Sequence, residues 1–307
     1  MRKLLALLLV VGCATEPSSK VELLPGFDPP DPGPDGIQFL IPPVRAIPPG
    51  ADQTFCTYLD YRSDRDVDIY AYEGYQTALG GHHVILYAAA QVQPAGTHLC
   101  TEDDMINVRY LGGGGADSPG AALPDGIVIR LPANTQVMLQ HHWINASDAP
   151  IDGQAAFNIE VEAPDPSHVN SQLFTTVTTQ VSLAPGAGSA RAECTASQDM
   201  SFFLLGGHAH ELGTHVTISV TPASGATANT IYDTPWNKEY QQNPPRNSYT
   251  KDQPFVLHTG DRVRVDCTYD NTTGAAVQFP REMCVAWGYF FPAVQEIDCV
   301  DGAWPGP

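Results

Sequence analysis

Arg262-Val263-Arg264-Val265-Asp266-Cys267-Thr268-Tyr269 alternates without a slip. Successive side chains of a strand point to opposite faces, so Val263, Val265, Cys267 and Tyr269 share one face. This is the signature of a half-buried β-strand. The same pattern extends outward in both directions. Residues 67–72, 83–90, 126–131 and 135–144 are short, β-branched or aromatic, and bounded by Gly, Pro or Asn. Residues 201–205, 214–220, 255–258 and 284–291 repeat the style in the second half. No segment reads as an amphipathic helix of ordinary length. Many short strands with regular turn signals predict an all-β chain built from antiparallel β-sandwich or jelly-roll-like domains.

Two such domains fit in tandem. Ala163-Pro164-Asp165-Pro166-Ser167 is the natural boundary, giving domains over residues 38–165 and 166–307. The halves share no obvious sequence repeat.

The chain opens Met1-Arg2-Lys3, continues with an apolar run over residues 4–11, and reaches Gly12-Cys13. A basic start, a short apolar core and a small residue before the cut describe a secretory signal over residues 1–12. The run is too short to span a bilayer. Val10-Val11-Gly12-Cys13 resembles a bacterial lipobox, in which Cys13 becomes the lipidated first residue of the mature protein. The expected location is therefore the bacterial cell envelope, on the outer membrane, with the lipid as the only membrane attachment. Residues 14–36 hold six prolines and little periodic apolar pattern, so residues 13–37 read as a lipidated cysteine and an extended tether.

Formal charge is −19, and removing Arg2 and Lys3 with the signal leaves 13 basic against 34 acidic residues, or −21. Such a surface repels a phosphate backbone, which excludes nucleic acid as a partner. Of seven cysteines, six remain after Cys13: Cys56, Cys100, Cys194, Cys267, Cys284 and Cys299. An even number in an exported chain predicts three disulfides, and spacing alone does not choose among fifteen pairings. The absence of Cys-x-x-Cys argues against a thiolate zinc knot or a thioredoxin-like site.

His208-Ala209-His210 is the strongest chemical signal, read as opening a strand on which residues two apart aim both imidazoles at one metal ion. His82-His83 needs a distorted strand end before neighbours can chelate together, and Gly80-Gly81 supplies the backbone freedom. In His141-His142, alternation groups His141 with Leu139 and Trp143, and His142 with Met138 and Ile144, so pattern leaves the choice open. Imidazoles suit several metals, whereas a thioether such as Met283 favours Cu(I). His215 falls on the polar face of its strand, and His98, His168 and His258 lack a partner at chelating spacing.

Taken in order, four stretches resemble the copper type II, ascorbate-dependent monooxygenases. They are residues 82–87 (HHVILY), 139–143 (LQHHW), 207–213 (GHAHELG) and 282–285 (EMCV). The resemblance implies two β-sandwich domains with one copper site each, two copper ions per chain. His82, His83 and His142 would hold the electron-transferring copper, which selects His142 over His141. His208, His210 and Met283 would hold the catalytic copper. It also implies the disulfides Cys56–Cys100, Cys267–Cys284 and Cys194–Cys299. The implied reaction hydroxylates an aliphatic C–H bond of a small substrate with O2, ascorbate or an equivalent serving as reductant. Peptide-amidating members anchor a carboxylate at positions that here hold Gly206, Val285 and Trp287, so peptide amidation is disfavoured. Residues 283–292 look closer to the dopamine-hydroxylating branch. The competing readings are a non-catalytic copper-binding envelope lipoprotein on the same scaffold, for storage or delivery, and a carbohydrate-binding or adhesive module with structural histidines.

Overall fold

The computed structural model describes residues 21–115, 120–241 and 243–304, so the signal over residues 1–12 and Cys13 lie outside the described residues. The chain is all-β: the described residues form 25 strands, one short helix, Glu102–Ile106, and a 3-10 turn, Lys238–Gln241. Thr101 caps that helix and Asp104 closes a capping box. Among the described residues no helix is long and apolar enough to cross a membrane.

In the first half one sheet runs Ile37–Leu40, Ala155–Glu162, Val67–Gln76, Ile127–Leu131. The facing sheet runs Gly96–Leu99, Asp52–Arg62, Gln136–Ile144, Gly81–Ala89, Val108–Gly115. Ile69, Ile129 and Phe157 from the first meet Val84, Leu86, Val137 and Leu139 from the second in one core. In the second half the order Arg246–Ser248, Met200–His208, Val285–Phe291, Gln172–Val177, Ile297–Val300 faces Gly186–Thr195, Arg262–Asn271, Gly213–Thr221, Asn229–Pro235. Phe174, Phe202 and Phe290 there pack against Val216, Ile218, Val263 and Val265. Pairing is antiparallel except where Ile297–Val300 joins Gln172–Val177 and Val169–Asn170 joins Ile127–Leu131. That last strand lies beyond the expected boundary yet pairs with the first half.

The deciding stretch falls in Arg262–Asn271, where Val263, Val265, Cys267 and Tyr269 are buried and the intervening residues are not. The three disulfides are Cys56–Cys100, Cys194–Cys299 and Cys267–Cys284. None crosses from one half to the other.

The two halves meet along a packed seam. Phe203, Tyr289 and Phe291 of the second half belong to the core of the first. The Tyr72 and Tyr289 hydroxyls lie 3.4 Å apart. Arg109 Nη1 donates to Gln172 Oε1 at 3.0 Å, and the Tyr110 N–H to Glu296 Oε2 at 3.2 Å.

The expected tether differs from what the structure shows over its described part. Leu24 and Phe27 are buried against Ala156, and Gln154 Nε2 donates to the Glu22 carbonyl while its Oε1 accepts from Leu24 N. Gly33 N donates to Glu160 Oε1, and Asn158 Nδ2 to the Pro30 carbonyl. Two apolar side chains and a few side-chain partners on Ala155–Glu162 fix this segment without any periodic pattern of its own.

Candidate functional site

His82 and His83 stand at the start of Gly81–Ala89, and His142 near the end of the adjoining Gln136–Ile144. His142 pairs with His83 and Trp143 with Gly81, so the register passes over His82 as a β-bulge. This is the distortion that two neighbouring ligands require. Gly80 leads into it at φ 77°, where a Cβ would come within 2.4 Å of Ile151 Cδ1. On the other flank a Cβ at Gly115 would lie 2.6 Å from the His82 carbonyl, so glycine lets that strand close in.

The outcome is a triangle. One ring nitrogen from each of His82, His83 and His142 lies within 4.8 Å of the others, the one group of three or more His, Cys, Asp or Glu side chains at metal-holding distance among the described residues. His82 Nδ1 and His142 Nδ1 are 2.9 Å apart. His142 Nε2 is 2.5 Å from Asp52 Oδ1. A proton on Nε2 donated to that carboxylate leaves the Nδ1 lone pair aimed into the triangle.

His141 does something else. It is fully buried, the Trp143 indole N–H donates to its Nδ1 at 2.8 Å, and its Nε2 is 2.9 Å from Thr57 Oγ1. Indole is a donor only, so Nδ1 must accept, and Nε2 carries the proton toward Thr57. Burial and the nearby His83 push the His141 pKa down to about 3. Both nitrogens are committed to the core.

In the second half His208 closes the strand Met200–His208, and His210 lies in the turn that follows. The expected strand opening at this motif is therefore corrected: the strand ends there. The two rings nevertheless sit 5.1 Å apart at 86°. His208 pairs with Val285, and extending that antiparallel register two residues brings His210 opposite Met283. His210 Nδ1 donates to the Arg281 carbonyl at 2.8 Å, leaving Nε2 for a metal. Trp236 Nε1 donates to the His210 carbonyl at 3.1 Å, and the Tyr269 hydroxyl to the Met283 carbonyl at 2.6 Å. Burial, reinforced by His210 and His83, drives the His208 pKa down to about 3, so the ring is neutral and a competent ligand at neutral pH.

The remaining histidines engage carboxylates elsewhere: His98 with Asp104 at 3.1 Å, His168 with Asp68 at 2.9 Å, His215 with Asp233 at 2.6 Å and His258 with Asp199 at 3.5 Å. Val285 is buried, and the single donor of Trp287 goes to the Gly207 carbonyl at 3.2 Å. Sequence reasoning missed Asp52 and Trp236, read Tyr269 only as part of a buried strand face, and gave Glu282 no role. Nothing in their local pattern separates them from ordinary acidic or aromatic residues.

Residues 171–305 match the family model of the copper type II ascorbate-dependent monooxygenases, C-terminal domain. No curated protein matches the chain. Among solved structures, the chain is similar to the major capsid protein P2 of bacteriophage PM2, at 8% identity and a TM-score of 0.38, over 85% of this chain and 99% of that one. It is also similar to a triple jelly roll protein of an archaeal virus, at 11% identity and a TM-score of 0.26, over 84% of this chain and 61% of that one. At these scores neither likeness bears on function.

Proposed function

We propose that this chain is a two-copper monooxygenase that hydroxylates an aliphatic C–H bond of a small substrate, with O2 and with ascorbate or an equivalent reductant. What supports the proposal is the His82, His83 and His142 triangle together with the adjacent His208 and His210 rings, the latter within the region that matches the monooxygenase domain. The donor chemistry fits copper. Three imidazoles suit an ion that passes electrons, and two imidazoles with a thioether suit one that must favour the reduced state.

His82, His83 and His142 would hold one ion, and His208, His210 and Met283 the other. Bound there, copper would supply the one-electron steps and the dioxygen chemistry that put one oxygen atom into product and one into water. The protein's own part is positional. Asp52 fixes the His142 ring, the Arg281 carbonyl fixes His210, and Tyr269 and Trp236 hold the backbone of Met283 and His210. Packing of Phe203, Tyr289 and Phe291 into the core of the first half ties the two halves together. With Gly206, Val285 and Trp287 offering no free cation or polar anchor, the substrate is not a peptide held by its terminal carboxylate. We also place the protein in the cell envelope, exported and anchored through lipidated Cys13.

The decisive experiment uses soluble protein lacking residues 1–13. Copper-loaded protein should bind two ions and consume ascorbate and O2 in a substrate-dependent manner, with label from ¹⁸O2 in the product. Two bound copper ions without substrate-dependent turnover across a broad substrate panel would favour the storage or delivery reading, and no copper would favour the adhesive module.

A further inference from the structure

The ladder between Met200–His208 and Val285–Phe291 ends at the His208–Val285 pair, two residues short of His210 and Met283. Among the described residues no backbone–backbone hydrogen bond joins residues 209–212 to residues 281–284. A side chain takes the place of the missing rungs. Glu282 is fully buried, its Oε2 accepts from His210 N at 3.1 Å, and its Oε1 accepts from Leu212 N at 2.7 Å. No Lys or Arg pairs with it among the described residues, so backbone N–H groups are its chief compensation.

A buried carboxylate without a cationic partner is strongly unfavourable, and a neutral residue would fill the space with less desolvation. What a neutral residue lacks is acceptor capacity. A carboxylate offers two oxygens and accepts only, whereas the amide of Gln would set its own N–H2 against one of these donors.

We propose that Glu282 is the positioning residue of the second metal set, the clamp that holds the His210 turn and the Met283 loop in register with each other. The proposal rests on the reading that His208, His210 and Met283 bind copper. A thioether is a weak ligand, so its place on the ion depends on where the loop puts it more than on bond strength. Loss of the clamp should then free the sulfur while the two histidines retain the ion.

The test uses soluble protein loaded with Cu(I), measured by X-ray absorption and by competition with a Cu(I) chelator. Wild type should show a sulfur scatterer that Met283→Ile abolishes, which examines the site reading itself. Glu282→Gln should keep two copper ions, lose the sulfur contribution and weaken the second site about 10- to 100-fold, as removal of an outer partner does elsewhere. Glu282→Asp, one methylene shorter, should fall between. In metal-free protein, amide exchange at His210 and Leu212 should quicken in Glu282→Gln, with Arg262–Asn271 unchanged. If Glu282→Gln fails to fold, Glu282→Asp decides the matter through a smaller loss of sulfur contribution and affinity. Folded Glu282 variants with sulfur and affinity intact would overturn the clamp and leave the site standing. Wild type without a sulfur scatterer would remove the site, and the clamp with it.

Discussion

Replacing His141 by alanine should destabilise the metal-free protein by about 3–5 kcal/mol yet leave two copper ions bound, whereas His142→Ala should do the reverse. The magnitude follows from what each ring touches. His141 is fully buried. Its removal opens a cavity, for which large-to-small core changes cost about 2–5 kcal/mol. It also orphans the Trp143 indole N–H, adding roughly 1–3 kcal/mol. Thr57 loses one partner but keeps the Thr97 hydroxyl at 2.8 Å, so it adds little. Partial collapse of the site holds the total near the lower sums. His142 has 13% of its side chain exposed, and its carboxylate partner Asp52 is 71% exposed, so water satisfies Asp52 when the ring goes. That variant should lose only about 1 kcal/mol, in the usual range of single substitutions. It should also lose one copper, because what is removed there is an imidazole ligand and not a weak thioether. Urea unfolding of metal-free protein measures the first quantity, and copper stoichiometry after gel filtration measures the second. If His141→Ala lost a copper while His142→Ala kept both, the assignment of ligand and core residue would be inverted and the first site as built would be refuted.

Met283→Ile should stay folded, losing no more than roughly 1.5 kcal/mol as a near-isosteric swap, and should retain copper with almost no hydroxylation; full turnover would make Met283 a packing residue. His208→Ala or His210→Ala should release one copper and spare the other, which stoichiometry reads directly, and loss of both would mean a single shared site. Non-reducing peptide mapping should recover Cys267 with Cys284, and replacing both by Ala should cost about 2–5 kcal/mol of unfolding free energy. Asp68 gives the pH test. Burial would raise its pKa, but Arg130 at 2.7 and 2.8 Å and His168 overcome that and hold the folded-state value below the ordinary one. Its stabilising contribution is thus present above the unfolded pKa of about 3.9 and fades as pH falls through the lower folded value. Asp68→Asn should flatten the fall in stability below about pH 4, and an unchanged acid limb would refute the role.

How much of this could be read beforehand depends on what enforces each element. Arg262–Asn271 was legible because one face is Val263, Val265 and Cys267. Its neighbour Gly186–Thr195 pairs with it residue for residue, from Gly186 with Asn271 to Thr195 with Arg262, yet is mostly Gly, Ala and Ser with no β-branched residue before its last. That strand is imposed by its partner rather than by propensity. Val108–Gly115 was hidden by its glycine run for the same reason. The ligand candidates stood out because imidazole and thioether are scarce, with 10 His and 5 Met in the chain. Their supports did not, because Asp52 and Glu282 are two of 34 acidic residues.

Both ligand sets share a feature that periodicity has no means of announcing: each sits where a ladder fails. At His82 an extra residue breaks the register, and past His208 the strand stops before the second histidine is reached. A regular strand would send neighbouring His82 and His83 to opposite faces and would leave the turn carrying His210 nowhere to go but along the sheet. The sandwich therefore supplies rigidity, and its interruptions supply the convergence of side chains. Each interruption leaves backbone or ring N–H groups that need partners, and Asp52, the Arg281 carbonyl and Glu282 are the acceptors that meet them. An irregular backbone at a buried site stays in place only where such partners over-determine it. On this argument the acceptors are as much a part of the metal sets as the ligands, although only the ligands could be picked out by residue type.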